Sequence, residues 1–332
     1  MYSNTTSIFT PTAAQPIQNK TLSGHTDAVS VLAVLPNGFV VSGSDDDTIR
    51  VWDVAKGECL NLLKGHTNSV YALTVLPSGN LVSGADDNTL RVWDVAKGEC
   101  LKVLKRDTER VLELTVLPSG ELVSGSSDGN LRVWDLASGE CLKLLKGHKT
   151  RVSALTVLPS GELVSGSDDH SIRVWDVAKG ECLKVLKGHK DFVSALAVLP
   201  SGSLVSASRD RTLRVWDMAK KKCLKLLEGH RGWVRALTVL PSGELVGGSS
   251  DKILRVWDVA SGECLKVLEG HTQPITALTV LPSGVLVSGA WDDPLRVWTE
   301  TRNTRFTTYS AEGAASISEE KEASGASKPG LS

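Results

Sequence analysis

Histidine, serine and aspartate residues that could together perform acyl-transfer chemistry recur in this chain at fixed spacing. One such set is His25, Ser42 and Asp46. Hydrolytic enzymes use these residue types as base, nucleophile and orienting acid, and they need one exposed nucleophile beside its base. Here the same set occurs five times at the same offsets. Such repetition favours a structural role, and we predict that none of these residues is catalytic.

No other catalytic or cofactor motif stands out in the sequence. It contains no phosphate loop, nucleophile elbow or cluster with metal-ligand spacing. The six cysteines share one repeat position, 41 residues apart, which is neither zinc spacing nor close enough for disulfides. We therefore expect a non-enzymatic protein without a cofactor or metal, in a reducing compartment such as the cytoplasm, with the nucleus left open. The cysteines are Cys59, Cys100, Cys141, Cys182, Cys223 and Cys264.

The elements that position these residues follow from an internal repeat. The dipeptide Trp-Asp recurs every 41 residues (93 − 52 = 41), and the last tryptophan of the series is followed by Thr299. Seven copies account for 287 of 332 residues (7 × 41 = 287). A period of this size indicates stacked structural units. The tryptophans are Trp52, Trp93, Trp134, Trp175, Trp216, Trp257 and Trp298.

Each copy contains four short apolar runs separated by turn sequences. The second copy, from Gly65, gives "VYALTV", "LPSG", "NLVSGA", "DDNT", "LRVWD", "VAKGE" and "CLKVLK". In "LPSG" the proline and glycine stand where a type I β-turn favours them. Short runs rich in Val, Leu, Ile and Trp with a turn about every ten residues predict an all-β fold. No run approaches the length of a membrane-spanning helix.

The Gly-His entry, the four runs and the Trp-Asp exit resemble the WD-repeat family over roughly residues 18–305. The resemblance implies a seven-bladed β-propeller whose blades are four-stranded antiparallel sheets. It also implies that an N-terminal strand within residues 18–23 closes the ring by completing the last blade, which removes two open sheet edges. The segment "TRNTRF" after Trp298 is the alternative closing strand. We expect the propeller to span residues 17–309, with a flexible segment at 1–16 and a disordered tail at 310–332.

The same resemblance assigns the repeated polar residues to a structural hydrogen-bond tetrad. Two repeats depart from the pattern, because the third has Arg106-Asp107 in place of Gly-His and the sixth has Gly247 in place of serine. We expect both to be locally looser. The tetrads are His25, Ser42, Asp46 and Trp52; His66, Ser83, Asp87 and Trp93; His148, Ser165, Asp169 and Trp175; His189, Ser206, Asp210 and Trp216; and His271, Ser288, Asp292 and Trp298.

The repeats differ from one another mainly in two segments, the residues after Gly-His and the turn before the Trp strand. In a propeller both segments lie on one face, here called the upper face. The "LPSG" and "DVAKGE" turns of the lower face are nearly constant. Because lower turns are exposed too, the divergence suggests that the upper face presents a binding surface. The predicted partner-binding residues, in repeats five to seven, are Phe192, Arg209, Arg211, Arg231, Trp233, Arg235, Lys252 and Trp291.

These residues make a basic and aromatic sector, whereas repeats one and two contribute acidic residues with Tyr71. We predict a protein-interaction scaffold, monomeric alone, that binds an acidic or phosphorylated protein or peptide on the upper face. The alternative is binding of single-stranded nucleic acid by the same sector. A net charge of −1 and the acidic repeats make nucleic acid the less favoured partner.

Overall fold

A computed structural model describes residues 20–104, 109–291 and 294–299 of the chain. These residues form 28 β-strands in seven four-stranded antiparallel sheets. The predicted all-β, seven-bladed propeller is thereby confirmed. Within the described ranges no helix has the length and apolar character needed to cross a membrane.

Six blades are consecutive in sequence, and each runs from an inner strand to an outer strand. In chain order the strands of the first three blades are β2 (Val29–Val34), β3 (Val40–Ser44), β4 (Ile49–Asp53) and β5 (Glu58–Leu63); β6 (Val70–Val75), β7 (Leu81–Ala85), β8 (Leu90–Asp94) and β9 (Glu99–Val103); and β10 (Val111–Val116), β11 (Leu122–Ser126), β12 (Leu131–Trp134) and β13 (Cys141–Leu145). Blades four to six contain β14 (Val152–Val157), β15 (Leu163–Ser167), β16 (Ile172–Asp176) and β17 (Glu181–Leu186); β18 (Val193–Val198), β19 (Leu204–Ser208), β20 (Leu213–Asp217) and β21 (Lys222–Leu227); and β22 (Val234–Val239), β23 (Leu245–Ser249), β24 (Leu254–Trp257) and β25 (Cys264–Leu268).

The seventh blade combines both ends of the described chain. Its sheet has the order β1-β28-β27-β26, so the N-terminal strand is its outer strand. The members are β26 (Ile275–Val280), β27 (Leu286–Ala290), β28 (Leu295–Trp298) and β1 (Lys20–Leu22). In this antiparallel pair Lys20 lies opposite Val297 and Leu22 opposite Leu295. This pairing is consistent with closure by the N-terminal segment, and residues 301–306 of the alternative lie outside the described residues, as do 1–16 and 310–332.

Apolar residues from neighbouring blades form the core. One cluster joins Val41 and Leu63 of the first blade to Val70 and Trp93 of the second, all of them buried. A comparable cluster joins Leu22 and other residues of the seventh blade to the first blade. The inner strands contact one another in sequence around the ring, including β26 against β2. Hydrophobic burial between blades therefore holds the ring together.

The lower face carries hydrogen bonds between blades that the sequence did not reveal. Lys143 lies on the outer strand of the third blade. Its Nζ donates to the carbonyl oxygens of Val177 at 2.7 Å and Ala178 at 2.6 Å, which belong to the "DVAKGE" turn of the fourth blade. The ammonium group satisfies carbonyls that strand pairing leaves free. Equivalent bonds reach the next turn from Lys20, Asn61, Lys102, Lys184 and Lys225. These bonds tie each of these outer strands to the backbone carbonyl groups of the next blade's turn.

Candidate functional site

The repeated polar residues form hydrogen-bonded chains inside the blades. In the second blade Trp93 Nε1 donates to Ser83 Oγ at 2.8 Å, Ser83 donates to His66 Nε2 at 2.6 Å, and His66 Nδ1 donates to Asp87 Oδ2 at 2.8 Å. The carboxylate can only accept, which places the imidazole proton on Nδ1. The same bonds occur in the tetrads of His25, His148 and His189.

Burial of these groups argues against nucleophilic chemistry. Ser83 has no exposed surface, and its hydroxyl is already bonded to imidazole and indole. Burial lowers the pKa of His66, against the opposing effect of Asp87. Burial alone would raise the pKa of Asp87, but hydrogen bonds from Thr89 and His66 lower it. A neutral imidazole held between a buried hydroxyl and a carboxylate stabilises the blade and has no access to a substrate.

Three blades differ from this arrangement. In the seventh, Trp298 Nε1 and His271 Nε2 both contact Ser288 Oγ, and Asp292 lies outside the described residues. In the third, where Arg106 and Asp107 also lie outside those residues, Arg132 Nη2 donates to Asp128 Oδ2 at 2.8 Å. Arginine thus bonds the turn aspartate that histidine bonds elsewhere.

The sixth blade has only part of the tetrad. His230 Nδ1 donates to Asp251 Oδ2 at 2.9 Å, but Gly247 supplies no hydroxyl. His230 Nε2 and Trp257 Nε1 are both buried without a hydrogen-bond partner. The two ring centroids lie 5.3 Å apart, compared with 6.1 Å for His66 and Trp93. The rings have moved toward the space that serine occupies in other blades.

A cavity of about 360 Å³ opens at the upper mouth of the central channel. Three positions of the repeat line it: the third residue after Gly-His, the second residue of the inner strand, and the residue before the turn aspartate. Because the residue types at these positions differ between blades, the chemical character of the cavity wall varies around the ring. The lining residues are Ser30, Asp45, Tyr71, Arg151, Ser153, Asp168, Phe192, Ser194, Arg209, Arg235, Thr276 and Trp291.

Two local features of the backbone bring these positions together. The register between β22 and β23 shifts between Val234 and Ala236, so Arg235 is the extra residue of a β-bulge. Bulges redirect a side chain out of the regular alternation of a strand. In the fifth blade the N–H of Arg209 donates to the carbonyl oxygen of Phe192 at 2.9 Å. This bond joins the two segments of the upper face that vary most in sequence.

Six of these upper-face residues form an alternating stack of guanidinium groups and aromatic rings, here called the ladder. It consists of Arg151, Phe192, Arg209, Trp233, Arg235 and Trp291. The Cζ atom of Arg209 lies 4.7 Å from the ring centroid of Phe192 and 4.8 Å from that of Trp233. Arg235 lies 5.4 Å from Trp233 and 5.0 Å from Trp291, and Arg151 lies 5.8 Å from Phe192. Cation–π attraction of this kind fixes the orientation of each guanidinium group.

The arginines of the ladder differ in how their charge is balanced. Arg151 Nε contacts Asp168 Oδ2 in a close ion pair. Within residues 20–104, 109–291 and 294–299, neither Arg209 nor Arg235 has a carboxylate oxygen within ion-pair distance. Burial lowers the pKa of both, and neighbouring guanidinium groups lower it further, Arg151 for Arg209 and Arg209 for Arg235. Two partly buried positive charges therefore remain available to an anion.

The opposite wall of the cavity is acidic. Asp45 lines it, and the Ser30 hydroxyl donates to Asp45 Oδ1 at 2.7 Å. Burial raises the pKa of Asp45, and the charges of Asp27 and Asp86 add to this. Asp86 pairs with the exposed Arg110 at 3.2 Å. Tyr71 also lines this wall. With Asp45 on this side and Arg209 and Arg235 on the other, the mouth carries opposite charges on its two sides.

The ladder brings together five of the eight predicted partner-binding residues: Phe192, Arg209, Trp233, Arg235 and Trp291. Arg211, Arg231 and Lys252 are exposed and neither line the cavity nor join the ladder. Arg211 and Lys252 follow the turn aspartate with φ near 71°, which directs that position differently.

The sequence interpretation did not include Arg151, Asp168 or Asp45 among the site residues. Arg151 occupies the same repeat position as Phe192 and Trp233, and this shared position was the available signal. No group of three or more potential metal ligands occurs among the residues described. The upper mouth is thus lined by charged and aromatic side chains.

Comparison with known proteins decides the family. The family model described as "WD40: WD domain, G-beta repeat" matches seven times, at residues 17–53, 57–94, 98–135, 139–176, 180–217, 221–258 and 262–299. The chain belongs to the WD-repeat family. Its seven matched WD repeats agree with the seven blades, and protein-interaction scaffolds are typical of this family.

Curated relatives share only a short segment with this WD-repeat chain. The ribosome biogenesis protein BOP1 homolog of Drosophila ananassae is 42% identical over 48 residues, which is 14% of this chain and 6% of that protein. The homologs of Drosophila grimshawi and Drosophila melanogaster are 40% identical over the same length and the same shares of each chain. The match is little longer than one 41-residue repeat, and the chain spans a small fraction of these relatives.

Proposed function

We propose that this WD-repeat propeller is a non-catalytic scaffold that binds an acidic or phosphorylated segment of a partner protein at the upper mouth of its channel. The observation that supports this most is the ladder. It holds Arg209 between Phe192 and Trp233, and Arg235 between Trp233 and Trp291. Stacking covers the faces of a guanidinium group and leaves its in-plane N–H donors for carboxylate or phosphate oxygens.

Preorganisation adds to the case. A free arginine loses rotamer entropy when it binds an anion, whereas a stacked arginine has already lost it on folding. Arginine and tryptophan are also the residue types most enriched at interface hot spots. Trp233 and Trp291 remain 43% and 50% exposed, so a partner segment could cover both while its anionic group meets the arginines.

The test compares two double variants with the same change of charge. Arg209→Glu with Arg235→Glu alters the ladder, and Arg211→Glu with Lys252→Glu alters exposed residues outside it. Affinity purification with mass spectrometry should show partners that the second variant retains and the first loses. Unfolding midpoints near that of the wild type establish that both variants fold. Equal partner sets for the two variants would refute the proposal.

Nucleic-acid binding is less compatible with the geometry. Arginines already occupy the ring faces of Phe192 and Trp233 that would have to stack on bases. The acidic wall at Asp45 would repel a phosphate backbone. A salt-dependent shift with single-stranded RNA that is lost in the ladder variant would support this alternative.

A further inference from the structure

We infer that the upper mouth selects a peptide that carries both charges: an anionic side chain held by Arg209 and Arg235, and a lysine or arginine side chain held by Asp45 and Tyr71. The inference rests on the proposed function and adds the second half of the ligand. All four residues are close to one cavity of about 360 Å³, and each of them lines it. A single short peptide segment can therefore contact both walls.

The basic wall keeps a surplus of two charges. Asp168 lies in the same cavity, but its carboxylate already contacts Arg151 and accepts from Ser153 Oγ at 2.7 Å. Arg209 and Arg235 are left to a ligand. A phosphate monoester, which carries between one and two negative charges near neutral pH, matches this surplus better than a single carboxylate does.

The acidic wall has the composition of a site for a cation. One oxygen of Asp45 is held by the Ser30 hydroxyl, and no lysine or arginine among the described residues pairs with this carboxylate. The aromatic ring of Tyr71 lines the cavity in the neighbouring blade. A carboxylate beside an aromatic ring suits a lysine or arginine side chain, which gains both an ion pair and a cation–π contact. The half-buried position strengthens both interactions relative to the open surface.

The fold keeps the two walls from neutralising each other. Arg209 and Arg235 belong to the fifth and sixth blades, whereas Asp45 and Tyr71 belong to the first and second. A uniformly acidic ligand meets like charge at Asp45, and a uniformly basic one meets it at Arg209. A peptide with both charges satisfies both walls, and the arrangement also fixes its direction across the mouth.

The experiment uses synthetic fluorescent peptides and the full chain. One peptide carries phosphoserine and lysine, at a series of spacings; a second has alanine for the lysine; a third has alanine for the phosphoserine. Fluorescence anisotropy at one salt concentration gives each Kd. At the best spacing we expect the two-charge peptide to bind about tenfold more tightly than either single-charge peptide, the usual size of one charged hydrogen bond.

Substitutions then separate this inference from the proposed function. Asp45→Asn should abolish the advantage of the lysine, and the control Asp47→Asn, in the same turn but outside the cavity, should preserve it. If the lysine gives no advantage at any spacing, or if Asp45→Asn leaves it intact, the inference is overturned. Binding of the phosphoserine peptide that depends on Arg209 and Arg235 would leave the proposed function standing. Failure of all three peptides to bind would overturn both.

Discussion

Gly247 shows how one residue alters a repeated hydrogen-bond chain. In its blade, His230 Nε2 and Trp257 Nε1 are buried and have no hydrogen-bond partner. In the second blade the equivalent atoms, His66 Nε2 and Trp93 Nε1, both bond the hydroxyl of Ser83. An unsatisfied buried group costs more than a hydrogen bond gains, so the sixth blade should carry a local deficit of stability. The two missing hydrogen bonds are thus a physical reason to expect that the sixth blade is looser.

Gly247→Ser should stabilise the protein by about 1 to 2 kcal/mol by restoring two hydrogen bonds. The gain requires the indole to retreat slightly, because a Cβ at this position would lie 3.1 Å from Trp257 Cζ3. Urea unfolding measures the change. Ser206→Gly, which creates the same defect in the fifth blade, is the matched control and should destabilise. A lower midpoint for Gly247→Ser would mean that the tryptophan cannot move back.

Arg132 provides a second residue-scale prediction. It bonds Asp128 in the third blade, whereas Arg91 at the same repeat position donates to the Cys100 sulfur at 4.0 Å. Arg132→Ala should therefore cost about 1 to 2 kcal/mol more than Arg91→Ala, since it leaves a partly buried carboxylate without its charged donor. Chemical unfolding of the two variants tests this. Equal losses would show that the arginine does not substitute for the missing histidine.

At the scale of strands and turns, the sequence predicted those features of the fold that depend on the local pattern of residue types. The 41-residue step and the offsets of the tetrads follow from spacing along one chain. The ladder does not, because the placement of Arg235 between Trp233 and Trp291 depends on how neighbouring blades pack. The bulge at Arg235 is likewise set by strand register, which no residue type at that position marks. Alternation shows that Lys143 is not in the core, but not that its amine reaches the next blade.

The lysine bonds of the lower face give a prediction at this scale. Lys143→Met removes the ammonium group that bonds Val177 and Ala178 and keeps most of the side-chain stem. We expect a loss of about 1 to 2 kcal/mol, since carbonyls lose a charged donor. The control is Lys146→Met, an exposed residue just past the same strand. Similar unfolding midpoints for the two variants would show that the interblade bond adds no stability.

For the ring as a whole, the seventh blade is built from both ends of the described chain. Leu22 is 1% exposed and packs between the seventh and first blades, and Lys20 bonds the turn of the first blade as other lysines do between consecutive blades. The joint therefore uses the contacts found elsewhere in the ring. β1 also pairs with β28 along a side that would otherwise be an open sheet edge.

Leu145 is the counterpart of Leu22 between the third and fourth blades. If the N-terminal strand closes the ring, Leu22→Ala and Leu145→Ala should each lower the free energy of unfolding by about 2 to 5 kcal/mol. Both leucines are 1% exposed. Deletion of residues 1–23 should lower the melting temperature still more. A small effect of Leu22→Ala, together with a normal effect of Leu145→Ala, would favour closure by the C-terminal segment.

The buried imidazole of His66 makes the stability of the folded chain depend on pH. Burial lowers the pKa of His66 in the folded state below its ordinary value of about 6.5. As the pH falls through that value, the unfolded chain therefore binds more protons than the folded chain does. The free energy of unfolding should therefore decrease as the pH falls from about 7 to about 5. A second loss should follow below about pH 4, because hydrogen bonds lower the pKa of Asp46 and bring that of Asp251 to about 2.

Urea titrations at each pH measure this slope. His66→Asn should reduce the slope between about pH 7 and pH 5. The substitution removes an imidazole that must stay neutral to keep its bonds to Ser83 and Asp87. Stability that rises on acidification through this range would contradict the assignment of a neutral imidazole in the tetrad.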